Sequence, residues 1–91
     1  MVTGIVLVNV ERPKIQQTID SLLKLPGVSE VYTVAGEYDL VVMIRVKSNC
    51  ELSDIVANRM THDIPGIVHT RTLVTLDVKS HVDIAKLFGL S

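Results

Sequence analysis

Leu25-Pro26-Gly27-Val28 and Ile64-Pro65-Gly66-Ile67 are one phrase written twice. Each copy follows a run of helical spacing and precedes a run of strand character. Proline has no N–H to continue a helix, and glycine takes backbone geometry that other residues resist, so each copy reads as a helix stop and a turn. Upstream of the first copy, Ile15, Ile19, Leu22 and Leu23 form an apolar helical stripe. Arg12-Pro13 opens that helix, at a position where the missing N–H is harmless. Before it, residues Thr3–Val10 (TGIVLVNV) are nearly all apolar or β-branched, the pattern of a strand buried on both faces. Upstream of the second copy the same plan recurs. Leu40–Val46 (LVVMIRV) is a continuously apolar strand. Ser48-Asn49-Cys50-Glu51 has the Ser-x-x-Glu spacing of a capping box, and Leu52, Ile55, Val56 and Met60 make the stripe of a second helix.

The remaining segments complete the order. Val28–Ala35 (VSEVYTVA) is a more polar strand, joined to the next by Gly36-Glu37-Tyr38-Asp39, short enough to make an antiparallel hairpin. Ile67–Asp77 (IVHTRTLVTLD) is a long fourth strand. Ser80 and Asp83 cap a short C-terminal helix at about residues 80–90, carrying Val82, Ala85, Leu87 and Phe88. The sum is β-α-β-β-α-β plus a tail: an α+β, ferredoxin-like plait filling residues 1–91 as one domain. Right-handed crossovers place strands one and three at the centre and strands two and four at the edges. The residues agree, because the expected edge strands carry Ser29, Glu30, His69 and Arg71.

In this plait both helices cover one face of the sheet, so the other face should alternate to polar. It does not. Ile5 and Leu7 oppose Val6 and Val8 in strand one, and Val41 and Met43 oppose Leu40, Val42 and Ile44 in strand three. An apolar face left in water is a large patch that monomers avoid, and a second copy of the same face is the simplest cover. A homodimer is expected, weakened by a charge at Val41 or Val6, whichever lies on the open face.

Composition narrows the function. The formal charge is −1, from 9 basic and 10 acidic residues, with no basic cluster. That argues against direct DNA binding and against an electrostatic membrane anchor. Aromatic residues are only Tyr32, Tyr38 and Phe88, too few for stacking on single strands. Cys50 is the single cysteine, so no internal disulfide forms, and Met1 leads straight into a strand without a signal peptide. A cytoplasmic location follows as the expectation. His62, His69 and His81 are isolated from one another and from Cys50, and no phosphate loop or catalytic triad is legible. We therefore expect no enzyme, no metal and no cofactor.

One polar cluster stands out. Gly36, Glu37, Tyr38 and Asp39 put two carboxylates and a phenol on one loop. Such a loop suits the ammonium of a free amino acid, and the hydroxyls of Thr70 and Thr72 on strand four suit its carboxylate; a plain solvated turn is the alternative.

At these residues the chain resembles the effector-binding (RAM) domain of the Lrp/AsnC family. The resemblance rests on Val34-Ala35-Gly36-Glu37-Tyr38-Asp39-Leu40, then Arg45-Val46-Lys47, then Ile64-Pro65-Gly66-Ile67-Val68 with Thr70-x-Thr72. Only Met1 and Val2 precede strand one, so the likeness is to the stand-alone form lacking the helix-turn-helix domain. The resemblance implies an amino-acid-binding, self-assembling regulatory module. Its dimers pack sheet to sheet and close into an octamer or a similar ring, with a free amino acid bound where dimers meet. Full-length Lrp/AsnC regulators are possible partners. Two other readings stay open: a small dimeric ferredoxin-like enzyme using His69, Arg71 or Arg45, and a purely structural co-assembly partner. The ACT-type amino-acid domain shares the element order.

Overall fold

The structure is a computed structural model and describes residues 1–77 and 79. Its elements run β1 (Val2–Val10), α1 (Ile15–Leu23), β2 (Val28–Thr33), β3 (Leu40–Val46), α2 and β4 (Ile67–Val74). A single 3-10 turn, Arg12–Lys14, leads into α1 with Pro13 inside it. The second helix, α2, runs Asn49–Asp54, passes through a π-helical turn at Ile55–Arg59 and closes with Met60–His62. The sheet order is β2-β3-β1-β4 and every pairing is antiparallel, so the expected plait and its central strands are as read. Two boundaries differ. The second strand stops at Thr33 and not at Ala35, and the fourth stops at Val74 and not at Asp77. The C-terminal helix expected at 80–90 lies outside the described residues.

Alternation decides which side each residue serves. Gly4, Val6, Val8 and Val10 of β1 are buried, and so are Leu40, Val42 and Ile44 of β3. They join Leu22 of α1 and Leu52, Ile55, Met60 and Ile64 of the α2 segment in one core. Both helices therefore lie on that face. The opposite face carries Ile5 and Leu7, paired across β1–β3 with Met43 and Val41. On the other side of β1 the same two residues meet Leu73 and Arg71. All four central residues are partly exposed.

The repeated phrase builds two equivalent corners. Gly27 and Gly66 have φ of 95° and 89°, the left-handed region that costs a side-chain-bearing residue about 1 kcal/mol or more. The Gly27 carbonyl accepts the Arg45 N–H at 2.8 Å, and the Gly66 carbonyl accepts the Glu11 N–H at 2.9 Å. Each corner thus clamps the end of a central strand. At the second corner the buried Thr18 hydroxyl also donates to the Pro65 carbonyl at 2.7 Å, fastening α1 to the turn before β4. The capping box forms around α2: Ser48 Oγ accepts the Glu51 N–H at 3.3 Å, and the Glu51 carboxylate reaches back to the Lys47 N–H at 2.8 Å.

Candidate functional site

The loop between β2 and β3 sits at the sheet end where β1 finishes and β4 begins. β1 runs to Val10, but β3 starts only at Leu40. The N–H of Val10 would then point at nothing on that side. Asp39 supplies the missing partner: its Oδ2 accepts the Val10 N–H at 2.9 Å. Its own N–H donates to the Val8 carbonyl at 3.0 Å, and its carbonyl accepts the Val34 N–H at 2.9 Å. Asp39 therefore fastens the loop to β1 with side chain and backbone together, and its second carboxylate oxygen makes no hydrogen bond among the described residues. Gly36 has φ of 138° with open space where a side chain would stand, so the turn needs glycine for its backbone alone. Glu37 is exposed and Tyr38 half-buried, and among the described residues no cation pairs with Glu37 or Asp39.

The hydroxyls of β4 are placed differently from one another. Thr70 pairs with Val8, which pairs with Leu40, so Thr70 lies level with the start of β3 and roughly 10 Å across from it. Val8, fully buried, stands between them in the sheet. Thr72 lies further along, on the helix side, in a groove of about 420 Å3 between α2 and the outer edge of β4. Leu52, Val56, Ala57 and Val74 give that groove apolar walls, and Asn49 and Ser53 join Thr72 as its polar groups. The loop and the two threonines thus do not converge on one pocket within a chain. The sequence reading did not join Asn49, in the capping turn, and Ser53, in the body of α2, to Thr72, because only the lie of α2 along β4 brings them beside it.

A second polar set occupies the open face. Glu30 lies opposite Met43, and a register shift at Ser29 aims both Glu30 and Tyr32 onto this face. Tyr32 Oη donates to Glu30, whose other oxygen takes Arg45 Nη2 at 3.1 Å and Ser29 Oγ at 3.2 Å. The Tyr32 hydroxyl, more than the Ser29 hydroxyl and the Arg45 charge, holds the Glu30 carboxyl below its ordinary value against a push from burial; the same bond raises the Tyr32 phenol. His69 and Arg71 are exposed on this same face, opposite Asn9 and Leu7. Neither lines a described cleft, so the enzyme reading gains no enclosed acid or base from them. Among the described residues no group of three or more His, Cys, Asp or Glu could hold a metal ion, and no helix is long and apolar enough to cross a membrane.

Comparison with known proteins draws these features together. The family model of the Lrp/AsnC ligand binding domain matches residues 3–83. The HTH-type transcriptional regulator FL11 of Pyrococcus horikoshii is 35% identical over 82 residues, covering 90% of this chain and 52% of that protein. The chain thus spans about half the length of the curated relatives it matches. The structure of TTHA0845 from Thermus thermophilus superposes with a TM-score of 0.82 at 33% identity, covering 89% of this chain and all of that one (100%). The complex of the transcriptional regulator NMB0573 from Neisseria meningitidis with L-Met shares the fold, with a TM-score of 0.78 at 15% identity over 94% of this chain and 58% of that one. The curated relatives are regulators of transcription, and this chain belongs to the Lrp/AsnC ligand binding domain family.

Proposed function

We propose that the chain is a self-assembling, effector-binding regulatory module: it dimerises through the open sheet face and responds to a free amino acid. The observation that carries this reading is the open face itself. Ile5, Leu7, Val41 and Met43 form a contiguous apolar centre, extended by Leu73, and the Glu30–Arg45 pair and Arg71 lie toward its border. An apolar middle with a polar rim is the anatomy of a protein interface. Four strands by seven residues span roughly 20 by 25 Å, about 500 Å2 before side-chain relief, which approaches the ~800 Å2 per partner of a standard interface.

The effector half of the reading rests on the loop. Asp39 keeps one free carboxylate oxygen, Glu37 lies beside it, and Tyr38 offers a half-buried wall. These groups suit an ammonium. Thr70 and Thr72 offer hydroxyls to a carboxylate, but Val8 separates Thr70 from the loop and Thr72 sits in the α2 groove. A neighbouring copy is therefore needed to bring a second set of donors to the loop. The bound L-Met of the Neisseria regulator supports an amino acid as the ligand class. Ligand and assembly are then linked, since an effector that contacts two copies favours the assembled state.

Sedimentation of the 91-residue chain at micromolar concentration, with and without each of the common amino acids, tests both halves. A mass of at least two chains and a further shift with one amino acid are expected. A single-chain mass rejects the dimer. A mass unmoved by every amino acid at millimolar concentration leaves the structural co-assembly role in place of the effector role.

A further inference from the structure

Among the described residues, the two helices cover three strands of the sheet and leave the far end of the fourth open. On their face, Val6, Val8 and Val10 of β1 are at most 7% exposed, and Leu40, Val42 and Ile44 of β3 are fully buried. Val74 of β4 faces the same way, since it pairs with the buried Gly4, yet it is 48% exposed. Gly4 shows why α2 does not cover it. A side chain at Gly4 would begin 2.6 Å from Leu52 Cδ1, so α2 is seated down on β1 at this point and not out over β4. What remains is the groove of about 420 Å3 with Leu52, Val56, Ala57 and Val74 as its apolar walls. β4 is also an edge strand, and an apolar edge left in water is a surface that folded chains cover with a helix or a loop.

The chain itself leaves from this groove. Thr72 and Val74 line it, and the next residue, Thr75, is still tied to the Thr3 carbonyl through its N–H at 3.0 Å and its hydroxyl at 2.9 Å. Residues 75–79 span at most about 18 Å, so residues 80–91 begin within that distance of the groove wall. In that segment (SHVDIAKLFGLS) Ile84, Leu87 and Phe88 recur at i, i+3 and i+4, the spacing of one apolar helical stripe, with Ala85 beside them. Residues 80–90 as a helix are about 16 Å long, shorter than the roughly 26 Å of β4, so the stripe fits alongside that strand. A segment on so short a tether acts at an effective concentration of the order of millimolar, which a separate partner has to match. The groove gives room for a few side chains of one segment, whereas the flat surface that suits a second copy is the opposite face of the sheet.

We infer that residues 80–91 of the same chain dock as a helix in the groove between α2 and β4, with Ile84, Leu87 and Phe88 against Val56, Ala57 and Val74. The inference rests on neither the dimer nor the effector reading; a segment docked here takes Thr72 out of an effector's reach and leaves Thr70. Cys50 provides the probe, because it is the single cysteine, is exposed, and adjoins Asn49 of the groove. A nitroxide on Cys50 of the full, 15N-labelled chain is expected to broaden the amides of residues 84–88. A mixture of 15N chain without nitroxide and nitroxide chain without 15N is expected to show no such loss. Val74→Glu, at a half-exposed position, and Ala57→Glu, at an exposed one, should each relieve the broadening and speed amide exchange at 84–88 at least about tenfold. Amides at 84–88 that keep full intensity in the first sample overturn the proposal. Losses that appear in the mixture overturn it too, since they make the occupant a segment of another copy. Broadening unchanged by both variants also overturns it, since the segment is then near the groove and not in it.

Discussion

Ile5 and Val6 are adjacent in β1 and face opposite ways, which makes them a matched pair of probes. Ile5 lies between Met43 and Leu73 on the open face, with no charged residue directly across from it on either strand. Val6 is fully buried beneath the helices. In the proposed dimer, Ile5→Glu places an unpaired carboxylate in an apolar interface. Lost burial and incomplete solvation together cost about 2–3 kcal/mol per site in a partly adaptable interface. Two-fold symmetry counts the change twice, giving roughly 4–6 kcal/mol, or about three to four decades in dimer dissociation constant. The core of each chain is untouched. Val6→Glu places the same charge inside that core and costs several kcal/mol of a stability that for small domains totals only about 5–15.

Sedimentation velocity at micromolar concentration, with circular dichroism alongside, separates the two. The parent should run as a dimer or larger, Ile5→Glu as a folded monomer, and Val6→Glu as an unfolded or aggregated chain. Val41 faces the same way as Ile5, and Val41→Glu should act like Ile5→Glu. If Ile5→Glu unfolds instead, a melting temperature of the parent that rises with protein concentration carries the same conclusion. An Ile5→Glu chain that stays dimeric with affinity within about tenfold of the parent refutes the reasoning, since about 1.4 kcal/mol is then all the face contributes.

Three further outcomes are expected. Asp39→Ala leaves the Val10 N–H without its partner and should cost about 1–2 kcal/mol in urea unfolding. Asp39→Asn keeps an acceptor and should cost less, yet weaken amino-acid binding at the loop at least about tenfold if the charge meets an ammonium; equal binding by the Asn variant removes Asp39 from that role. Thr18→Val loses the part-buried bond to the Pro65 carbonyl and should destabilise by about 1–3 kcal/mol, where a change under ~0.5 shows that water replaces the hydroxyl. Tyr32→Phe should raise the Glu30 carboxyl toward its ordinary 4.5, read by NMR titration. Because the folded value is the lower one, the Glu30 contribution is present above pH 4.5 and fades as pH falls through the folded value, so the variant should show a smaller loss of stability on acidification.

The fold was legible because its decisive features are local and repeated. The Pro-Gly phrase marks both helix ends, and the parity of strands one and three separates the helix-facing Val6, Val8, Val42 and Ile44 from the open-face Ile5, Leu7, Val41 and Met43. Where parity breaks, one strand read alone carries no sign of it. The shift at Ser29 and the unpaired, exposed Val68 between Ile67 and His69 are irregularities of pairing, invisible in one strand taken alone. The ends of strands two and four were placed late for a related reason. Val34 and Thr75 are β-branched and Ala35 and Leu76 apolar, which extends the strand pattern on paper, but a strand lasts only as long as its neighbour supplies partners. Past Val74, the Thr75 N–H and hydroxyl both still reach the Thr3 carbonyl, so contact with β1 outlives the regular ladder.

The candidate site was legible in its residue types and not in its geometry. Two carboxylates on a glycine loop announce a negatively charged turn whatever the fold. That Asp39 also completes the hydrogen bonding of β1 depends on β3 starting at Leu40 while β1 runs on to Val10, a fact of register between strands far apart in sequence. This double duty shapes what the loop can do. A side chain fixed through one oxygen to a backbone N–H presents its other oxygen in a set direction, so an arriving ammonium meets an ordered acceptor and not a mobile one. The entropy of ordering that carboxylate is already spent in folding the chain, which leaves more of the binding energy for the ligand. It also ties the loop to the end of β1, the strand whose other residues, Ile5 and Leu7, form the middle of the open face. Ligand at the loop and a second copy on the face would then act on one strand from its end and from its side. If the proposed binding and the proposed assembly both occur, that shared strand is the element through which they would be coupled.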